Sequence, residues 1–343
     1  MKDKKVVFMG TPDFAVPVLE NLIKETNVVL VVTQPDKPVG RHKELLFTPV
    51  KEVAIKNNIP VFQPIKIKED YEMVIESNPD IIITCAYGQI IPKELLDYPK
   101  YGCINVHASL LPKLRGGAPL HKAIITGEKV TGITIMYMSE KMDAGDIIEQ
   151  ESTLITDTDN VGTIHDRLSL MGSELLIKVL PSIFNGTNKR IKQNESDVTY
   201  AWNITREEEK IDFNKTSKEV FNQIRGLYPY PVAYTNLNNE VIKVTESFIS
   251  NSEIGDCGEI TNVGKDGITV KCKDKSIVIT KLYLASSISF GSMISGLLTN
   301  SGIALVILFK TNKNKKENLT IIGLTYLISI IVGIILNILH IAF

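Results

Sequence analysis

The sequence predicts an α/β fold: a doubly wound, mostly parallel, Rossmann-like sheet, followed by a small β-barrel (OB-like) domain and a hydrophobic two-helix tail. Over residues 1–186, short apolar runs alternate with amphipathic stretches, which is the pattern of strands joined by helices. Residues 209–286 change to short strands bounded by Gly, Asn and Asp turns. Residues 287–343 hold two long uncharged segments, each long enough to cross a bilayer as a helix.

The elements of the first domain follow from local patterns. The run KVVFMG has the composition of a buried strand, Thr11 can cap a helix, and Pro12 suits a first helical turn. Thr48 and Pro49 repeat that arrangement. The run DIIITCAYG is continuously apolar, as parallel strands covered on both faces are. We therefore expect strands at 5–10, 27–33, 59–63, 80–88, 102–110 and 130–138, and helices at 12–24, 49–58, 68–78 and 162–183.

A polar segment separates this domain from a different pattern. Residues 187–208 show no apolar period and predict a linker. After it, a helix over 215–227 is followed by short strands at 232–237, 240–247, 258–264, 267–272 and 276–284. Three lysines of this region, Lys271, Lys273 and Lys275, alternate and would share a face of one strand.

Composition excludes several classes of protein. The 343 residues include 38 Lys and Arg and 39 Asp and Glu, giving a net charge of −1, so the chain is not a globally basic nucleic-acid binder. The four cysteines are widely spaced and form no C-x-x-C pair, which disfavours a disulfide scaffold and a zinc ribbon and favours reduced thiols. The first strand ends in MGTPDF, without the G-x-G-x-x-G pattern of a dinucleotide site.

Three polar residues at predicted strand ends carry the chemistry. Asn105 and His107 are two apart on one strand and share a face, which we expect to line a cleft at its carboxyl end. Asp143 follows the next strand. The Asn amide can donate to an oxyanion, the His can move a proton near neutral pH, and the Asp can hold the imidazolium. Taken alone, the same residues are equally compatible with a His bonded to the backbone and an Asp capping a turn.

The segment NVHASLLPKLRGGAP, followed by MDAGD, resembles the folate-dependent formyltransferases. Further stretches, from VVFMGTPDF through AYGQIIP to TYAWNITREEEKIDF, resemble the members of that family that act on methionyl-tRNA. The resemblance runs from about residue 4 to about residue 285. It implies transfer of formyl from 10-formyltetrahydrofolate to the α-amino group of methionine on initiator tRNA, in the cytoplasm, with no metal and no stable protein partner.

The resemblance also implies roles for individual residues. Asn105, His107 and Asp143 match the catalytic set, and Ser109, Leu110, Leu111 and Pro112 match the folate-contacting segment. Residues 34–47 match a loop that engages the acceptor end of tRNA, with Lys37, Arg41 and Lys43 as candidate contacts. Gly116 and Gly117 would let the backbone approach a bulky ligand. The resemblance makes 1–186 the catalytic domain and 209–286 a tRNA-binding β-barrel.

Two alternatives remain open from the sequence. The first is another folate-dependent formyltransferase, which would act on the amine of a small nucleotide or nucleotide sugar with the same catalytic residues. The loop at 34–47 and the region after 205 favour the tRNA substrate. The second is a membrane-anchored folate-binding module without transfer activity.

The tail departs from the family. Residues 288–309 and 318–343 form two uncharged spans joined by the basic loop KTNKNKKEN. An enzyme that acts on tRNA must keep residues 1–287 in the cytoplasm, which would place this loop outside, yet Lys-rich loops prefer the cytoplasmic side. We therefore favour the hypothesis that 286–343 arose by fusion, frameshift or a misjoined reading frame. The alternative is a genuine membrane-anchored form, inserted against the charge rule or as a re-entrant hairpin. In both cases we expect the replaced C-terminus to leave the β domain short of an edge strand.

Overall fold

The computed structural model describes residues 1–39, 44–238 and 240–284. The chain divides into two compact units. Among the described residues, the first comprises 1–209 with 225–228, and the second comprises 210–224 with 229–284.

The first unit is built on a seven-stranded sheet in the order β5-β2-β1-β6-β7-β8-β9. Its strands are β1 (Lys5–Gly10), β2 (Asn27–Val32), β5 (Val61–Phe62), β6 (Ile81–Cys85), β7 (Cys103–His107), β8 (Val130–Tyr137) and β9 (Ile147–Leu154). A separate hairpin pairs β3 (Lys37–Val39) with β4 (Glu44–Leu46). Neighbouring strands from β5 to β7 pair in parallel, whereas β7 with β8 and β8 with β9 pair antiparallel.

The predicted mostly parallel α/β sheet is therefore confirmed, with one strand missed. Strand β9 begins with two buried isoleucines and continues in the largely polar EQESTL, so it shows too little apolar alternation to be recognised. Its partner β8 alternates clearly, and the two strands form an antiparallel hairpin at the edge of the sheet.

Helices connect these strands and close the unit. They are α1 (Val16–Glu25), α2 (Pro49–Lys56), α3 (Glu72–Glu76), α4 (Lys93–Asp97), α5 (Pro119–Ile125), α6 (Val161–Phe184) and α7 (Arg206–Glu209). The predicted cap at Thr48 is confirmed, since its side chain accepts the Lys51 amide. The predicted cap at Thr11 is wrong: its hydroxyl donates to the Tyr87 carbonyl, and α1 starts later, after a 3-10 turn over Asp13–Ala15. Helix α3 is also shorter than expected.

Packing on β7 fixes which of its side chains face the candidate site. Ile104 and Val106 are buried in the large hydrophobic cluster that also contains residues of α6. Gly172 of α6 permits close approach, because a Cβ there would lie 2.9 Å from the Val106 side chain. The alternate residues, Asn105 and His107, therefore project from the other face.

The second unit contains a five-stranded antiparallel sheet in the order β10-β11-β14-β13-β12, which confirms the predicted second β region. Its elements are α8 (Ser217–Gly226), whose last two residues belong to the first unit, and the strands β10 (Ala233–Leu237), β11 (Glu240–Ser250), β12 (Ile260–Gly264), β13 (Gly267–Lys271) and β14 (Ser276–Leu284). Among the described residues, β12 pairs on one side only, whereas β10 pairs with β11 and also forms an isolated parallel bridge from Tyr234 to Lys210.

The predicted lysine face of this unit is wrong. Strand β13 ends at Lys271, and Lys273 and Lys275 lie in the turn that leads to β14. Lys271 is buried, and its ammonium donates to the Asp274 carbonyl at 2.7 Å. Its role is therefore to close this turn.

The hydrophobic tail predicted at 287–343 lies outside the described residues. Within the parts of the chain that are described, no helix has both the length and the apolar character needed to span a membrane.

Candidate active site

His107 ends strand β7 and is 94% buried, since only 6% of its surface is exposed. Its Nε2 lies 3.1 Å from the carbonyl oxygen of Leu114. A carbonyl oxygen can only accept, so we assign the proton to Nε2. Nδ1 is then the ring nitrogen left to take up and return a proton.

Asp143 lies between β8 and β9 and faces that nitrogen. Its Oδ1 is 3.7 Å from Nδ1 of His107. Its Oδ2 accepts the backbone amide of Gly116 at 2.8 Å, which fixes the orientation of the carboxylate. The backbone of Asp143 has φ of 50°, a left-handed conformation that Asp tolerates better than most side chains.

Asn105 lies two residues before His107 on the same face of β7. The Thr84 hydroxyl of the neighbouring strand β6 donates to its Oδ1 at 2.9 Å. The two residues are direct partners in the parallel register of β6 and β7. Among the described residues no acceptor bonds the Nδ2 amide group, so the side chain is oriented through its oxygen while its two N–H donors stay available.

These three side chains form a set suited to acyl transfer at the carboxyl end of the parallel strands. It combines an amide donor, an imidazole with one open nitrogen and a carboxylate beside that nitrogen. Ser109, a hydroxyl close to the set, is committed elsewhere: it is fully buried and donates to the Lys113 carbonyl at 2.7 Å. Within the described part of the chain, no group of three or more His, Cys, Asp or Glu side chains is arranged to hold a metal ion.

Comparison with known proteins decides the family. Residues 4–180 match the formyl transferase family model, and residues 203–290 match the model of the formyl transferase C-terminal domain. The chain belongs to the formyl transferase family.

Within the family, this formyltransferase is similar in sequence to methionyl-tRNA formyltransferases. It is 54% identical over 286 residues to a methionyl-tRNA formyltransferase of Geobacillus sp., covering 82% of this chain and 90% of the relative. A methionyl-tRNA formyltransferase of Staphylococcus aureus is 50% identical over 280 residues, with 81% and 90% covered. In structure, it is similar to an N-formyltransferase from Helicobacter canadensis solved with folinic acid and dTDP-3-aminofucose, with a TM-score of 0.62 and 24% identity over 82% of this chain and 99% of that one. That likeness concerns the fold alone.

In this formyltransferase, hydrogen bonds hold the segment 109–112 against strand β8. Thr134 of β8 donates its hydroxyl to the Ser109 carbonyl at 2.6 Å and accepts the Leu111 amide at 3.1 Å. Leu111 is buried, and only Leu110 and Pro112 leave part of their side chains exposed. Of the four predicted folate-contacting residues, two are thus packed into the protein itself.

Gly116 and Gly117 make room for a neighbouring segment of the chain. Gly116 has φ of 119°, and a Cβ there would lie 2.7 Å from the Ala201 carbonyl oxygen. A Cβ on Gly117 would collide with the side-chain oxygen of Asn203. The chain's own segment occupies the Cβ direction of both glycines, so the absence of side chains at 116 and 117 admits that segment.

The candidate tRNA loop is only partly described. Lys37 is exposed and begins β3, whereas Arg41 and Lys43 lie outside the described residues. Asp36, at the base of the loop, pairs with Lys51 and accepts an amide hydrogen from Gln63 at 2.9 Å. Burial opposes its ionisation, but these two bonds hold the pKa of Asp36 below its ordinary value. The base of the loop is therefore anchored to α2 and to the end of β5.

Sequence reasoning missed two groups near the site. One is the Leu114 carbonyl, a backbone atom that no residue type signals. The other is Gln193, in the segment predicted as a linker, whose amide donates to two carbonyls of the Asp143 loop. A lone Gln in a polar stretch carries no signal of such a contact, because the contact depends on residues fifty positions away.

Proposed function

We propose that this chain transfers the formyl group of 10-formyltetrahydrofolate to the α-amino group of methionine on initiator tRNA. The observation that carries the proposal is 54% identity across 90% of a methionyl-tRNA formyltransferase, in a match that includes both family domains. Asn105, His107 and Asp143, at the carboxyl end of the parallel strands, supply chemistry suited to that transfer. An enzyme acting on tRNA works in the cytoplasm, and we propose that location.

The reaction needs no nucleophile from the enzyme. The neutral methionyl amine attacks the formyl carbon, forming a new C–N bond and placing negative charge on the formyl oxygen. The bond from that carbon to the folate nitrogen then breaks. The amine loses one proton, and the folate nitrogen gains one as it leaves, so the reaction as a whole neither consumes nor releases a proton.

Asn105 is the proposed donor to the developing oxyanion. Its Oδ1 is held by Thr84, so its Nδ2 group keeps one orientation without rearrangement during the reaction. Preorganised donors of this kind contribute on the order of 10²–10³ in rate.

His107 is the proposed carrier of the proton. Because Nε2 is bonded to the Leu114 carbonyl, Nδ1 takes the proton from the attacking amine and returns it to the folate nitrogen, directly or through water. The imidazolium formed in between is stabilised by Asp143, whose Oδ1 lies 3.7 Å away.

The contacts to the two substrates are also proposals. For the folate, Leu110 and Pro112 offer exposed apolar surface, while Ser109 and Leu111 act by holding the turn. For the tRNA, Lys37, Arg41 and Lys43 supply positive charge next to an anchored loop base, and their phosphate contacts would weaken with added salt.

Comparison of three acceptor substrates tests the proposed transfer to methionyl-tRNA. The full chain is given 10-formyltetrahydrofolate with initiator methionyl-tRNA, uncharged initiator tRNA or a dTDP-linked amino sugar, and formylated product is measured by mass spectrometry. We expect no product with uncharged tRNA and a kcat/KM for methionyl-tRNA that exceeds that for the sugar by at least ~10³-fold, since a site built for one polar substrate rejects others strongly. Preferred formylation of the amino sugar would contradict the proposed substrate.

A further inference from the structure

The segment 191–203, which we call the strap, is bonded along its length to the loops that carry the candidate active site. The backbone amide of Arg115 donates to the Thr199 carbonyl at 2.9 Å, and the amide of Ala201 donates to the Arg115 carbonyl at 2.7 Å. At the other end, Ile191 and Ile147 exchange two backbone hydrogen bonds of 2.8 and 2.9 Å. The strap thus contacts both the loop after β7 and the start of β9.

Gln193 connects the strap to the loop of Asp143. Its Nε2 donates to the Asp143 carbonyl at 2.7 Å and to the Gly145 carbonyl at 2.9 Å. These two carbonyls lie on either side of the Asp143–Gly145 turn, in which Asp143 holds a positive φ. The Gln193 amide therefore stabilises this turn by bonding both of its carbonyls.

Arg115 fixes which way the Gln193 amide points. The guanidinium donates to Oε1 of Gln193 from Nε at 3.0 Å and from Nη2 at 2.8 Å. It also pairs with Glu195 of the strap at 2.9 Å, and Arg115 is only 2% exposed. Because a guanidinium only donates, Oε1 must face it, and the NH₂ group must face the Asp143 turn.

Thr199 holds the other neighbour of His107. Its hydroxyl oxygen accepts the Leu114 amide at 2.9 Å. Leu114 has φ of 60°, which is unusual for a Leu side chain, and its carbonyl is the one that Nε2 of His107 contacts. A strained peptide persists only when its surroundings determine it, and this hydrogen bond is one of those determinants.

We propose that Gln193 and Thr199 are positioning residues, which hold the two groups that flank the His107 imidazole. Gln193 sets the backbone from which Asp143 projects towards Nδ1, and Thr199 sets the peptide whose carbonyl receives Nε2. The inference rests on the proposed function for its kinetic consequence, although the contacts themselves do not depend on the substrate.

The first test separates the two ends of the Gln193 amide. Gln193→Glu keeps an oxygen for Arg115 but replaces the donor with a second acceptor facing two carbonyls. Gln193→Ala removes both contacts. We expect both variants to lose kcat by ~10- to 100-fold with KM for each substrate nearly unchanged, because misplacement of a catalytic group by about 1 Å costs on that order. The exposed strap variant Ser196→Ala is the matched control and should behave as wild type.

The second test uses Thr199 and a readout independent of turnover. Thr199→Val keeps the shape and removes the acceptor, whereas Thr199→Ser keeps the acceptor. We expect Thr199→Val to speed amide hydrogen exchange at Leu114 and to lower kcat by ~10-fold or more, with Thr199→Ser close to wild type in both.

The outcomes distinguish the positioning role of the strap from the proposed formyl transfer. Wild-type kcat in Gln193→Glu, or unchanged Leu114 exchange in Thr199→Val, overturns the positioning role while the formyl transfer itself stands. If the wild-type chain transfers no formyl group to methionyl-tRNA, the proposed function fails, and the exchange measurement still decides whether the strap holds the Leu114 peptide.

Discussion

The Asp143 carboxylate divides its two oxygens between Gly116 and His107. Oδ2 accepts the Gly116 amide at 2.8 Å, and Oδ1 stands 3.7 Å from Nδ1 of His107. One oxygen is thus committed to orientation, and the other presents its charge to the ring nitrogen that is left open. A substitution can therefore remove the charge of Asp143 while an oxygen at the Oδ2 position still accepts the Gly116 amide.

Asp143→Asn is expected to lower kcat without unfolding the loop. Asn tolerates the positive φ of this position as Asp does, and its side-chain oxygen can still accept the Gly116 amide. The charge that stabilises an imidazolium is lost, so we expect kcat to fall by ~10- to 10³-fold. Asp146→Asn, in the same loop but paired with Arg190, is the control. Single-turnover rates near wild type in Asp143→Asn would show that the carboxylate charge has no part in the transfer.

The sequence predicted the geometry of Asn105 and His107 well and the surroundings of the pair poorly. Strand periodicity places residues two apart on one face, so the shared face of these two residues follows from local pattern alone. The Leu114 carbonyl and the Gln193 amide act through hydrogen bonds between distant segments, which neither propensity nor periodicity encodes. The close approach of Gly116 to Ala201 of the strap was not predicted for the same reason.

Arg41→Ala is expected to weaken the tRNA reaction selectively. Arg41 belongs to the candidate tRNA loop, and removing one phosphate contact should raise KM for methionyl-tRNA or lower kcat/KM, with folate binding intact. The salt dependence of tRNA affinity should become shallower by about one unit of log–log slope. Calorimetric titration with a folate analogue provides the control. Loss of folate binding in Arg41→Ala would assign the loop to the other substrate.

The ion pair between His165 and Asp13 predicts a pH dependence of stability. Asp13, 3.3 Å from Nε2, raises the pKa of His165; burial opposes the rise, and Asp166 supports it. The pair's stabilisation is complete below about pH 6.5, the ordinary imidazole value, and is lost as pH rises through the higher pKa of the folded state. We expect the free energy of unfolding to fall by at most about 1 kcal/mol across this window.

Urea unfolding at several pH values measures this effect. The variant Asp13→Asn should show a flatter dependence of the free energy of unfolding between about pH 6 and 8 than wild type. An identical slope in both proteins would mean that the ion pair does not couple folding to protonation.

Truncation after Ser286 is expected to leave the enzyme intact. Both family matches end by residue 290, and the uncharged spans that follow have no counterpart in the chemistry proposed here. We expect the shortened chain to be soluble, with formyl transfer at least as fast as that of the full chain. Protease accessibility of the 310–318 loop in intact cells would establish which side it faces. An active, stably inserted full chain whose truncation abolishes activity would instead identify the tail as part of the working enzyme.

Transfer of an isotope-labelled formyl group tests most directly whether this chain formylates methionyl-tRNA with His107 as the proton carrier. The full chain is mixed with 10-formyltetrahydrofolate carrying ¹³C in the formyl group and with initiator methionyl-tRNA, and the released methionine is analysed by mass spectrometry. His107→Ala, checked for folding by circular dichroism, is measured alongside. We expect labelled N-formylmethionine from the wild-type chain and a rate lower by ~10²–10⁴-fold in His107→Ala. Absence of labelled product from the wild type, or an equal rate in the variant, would contradict it.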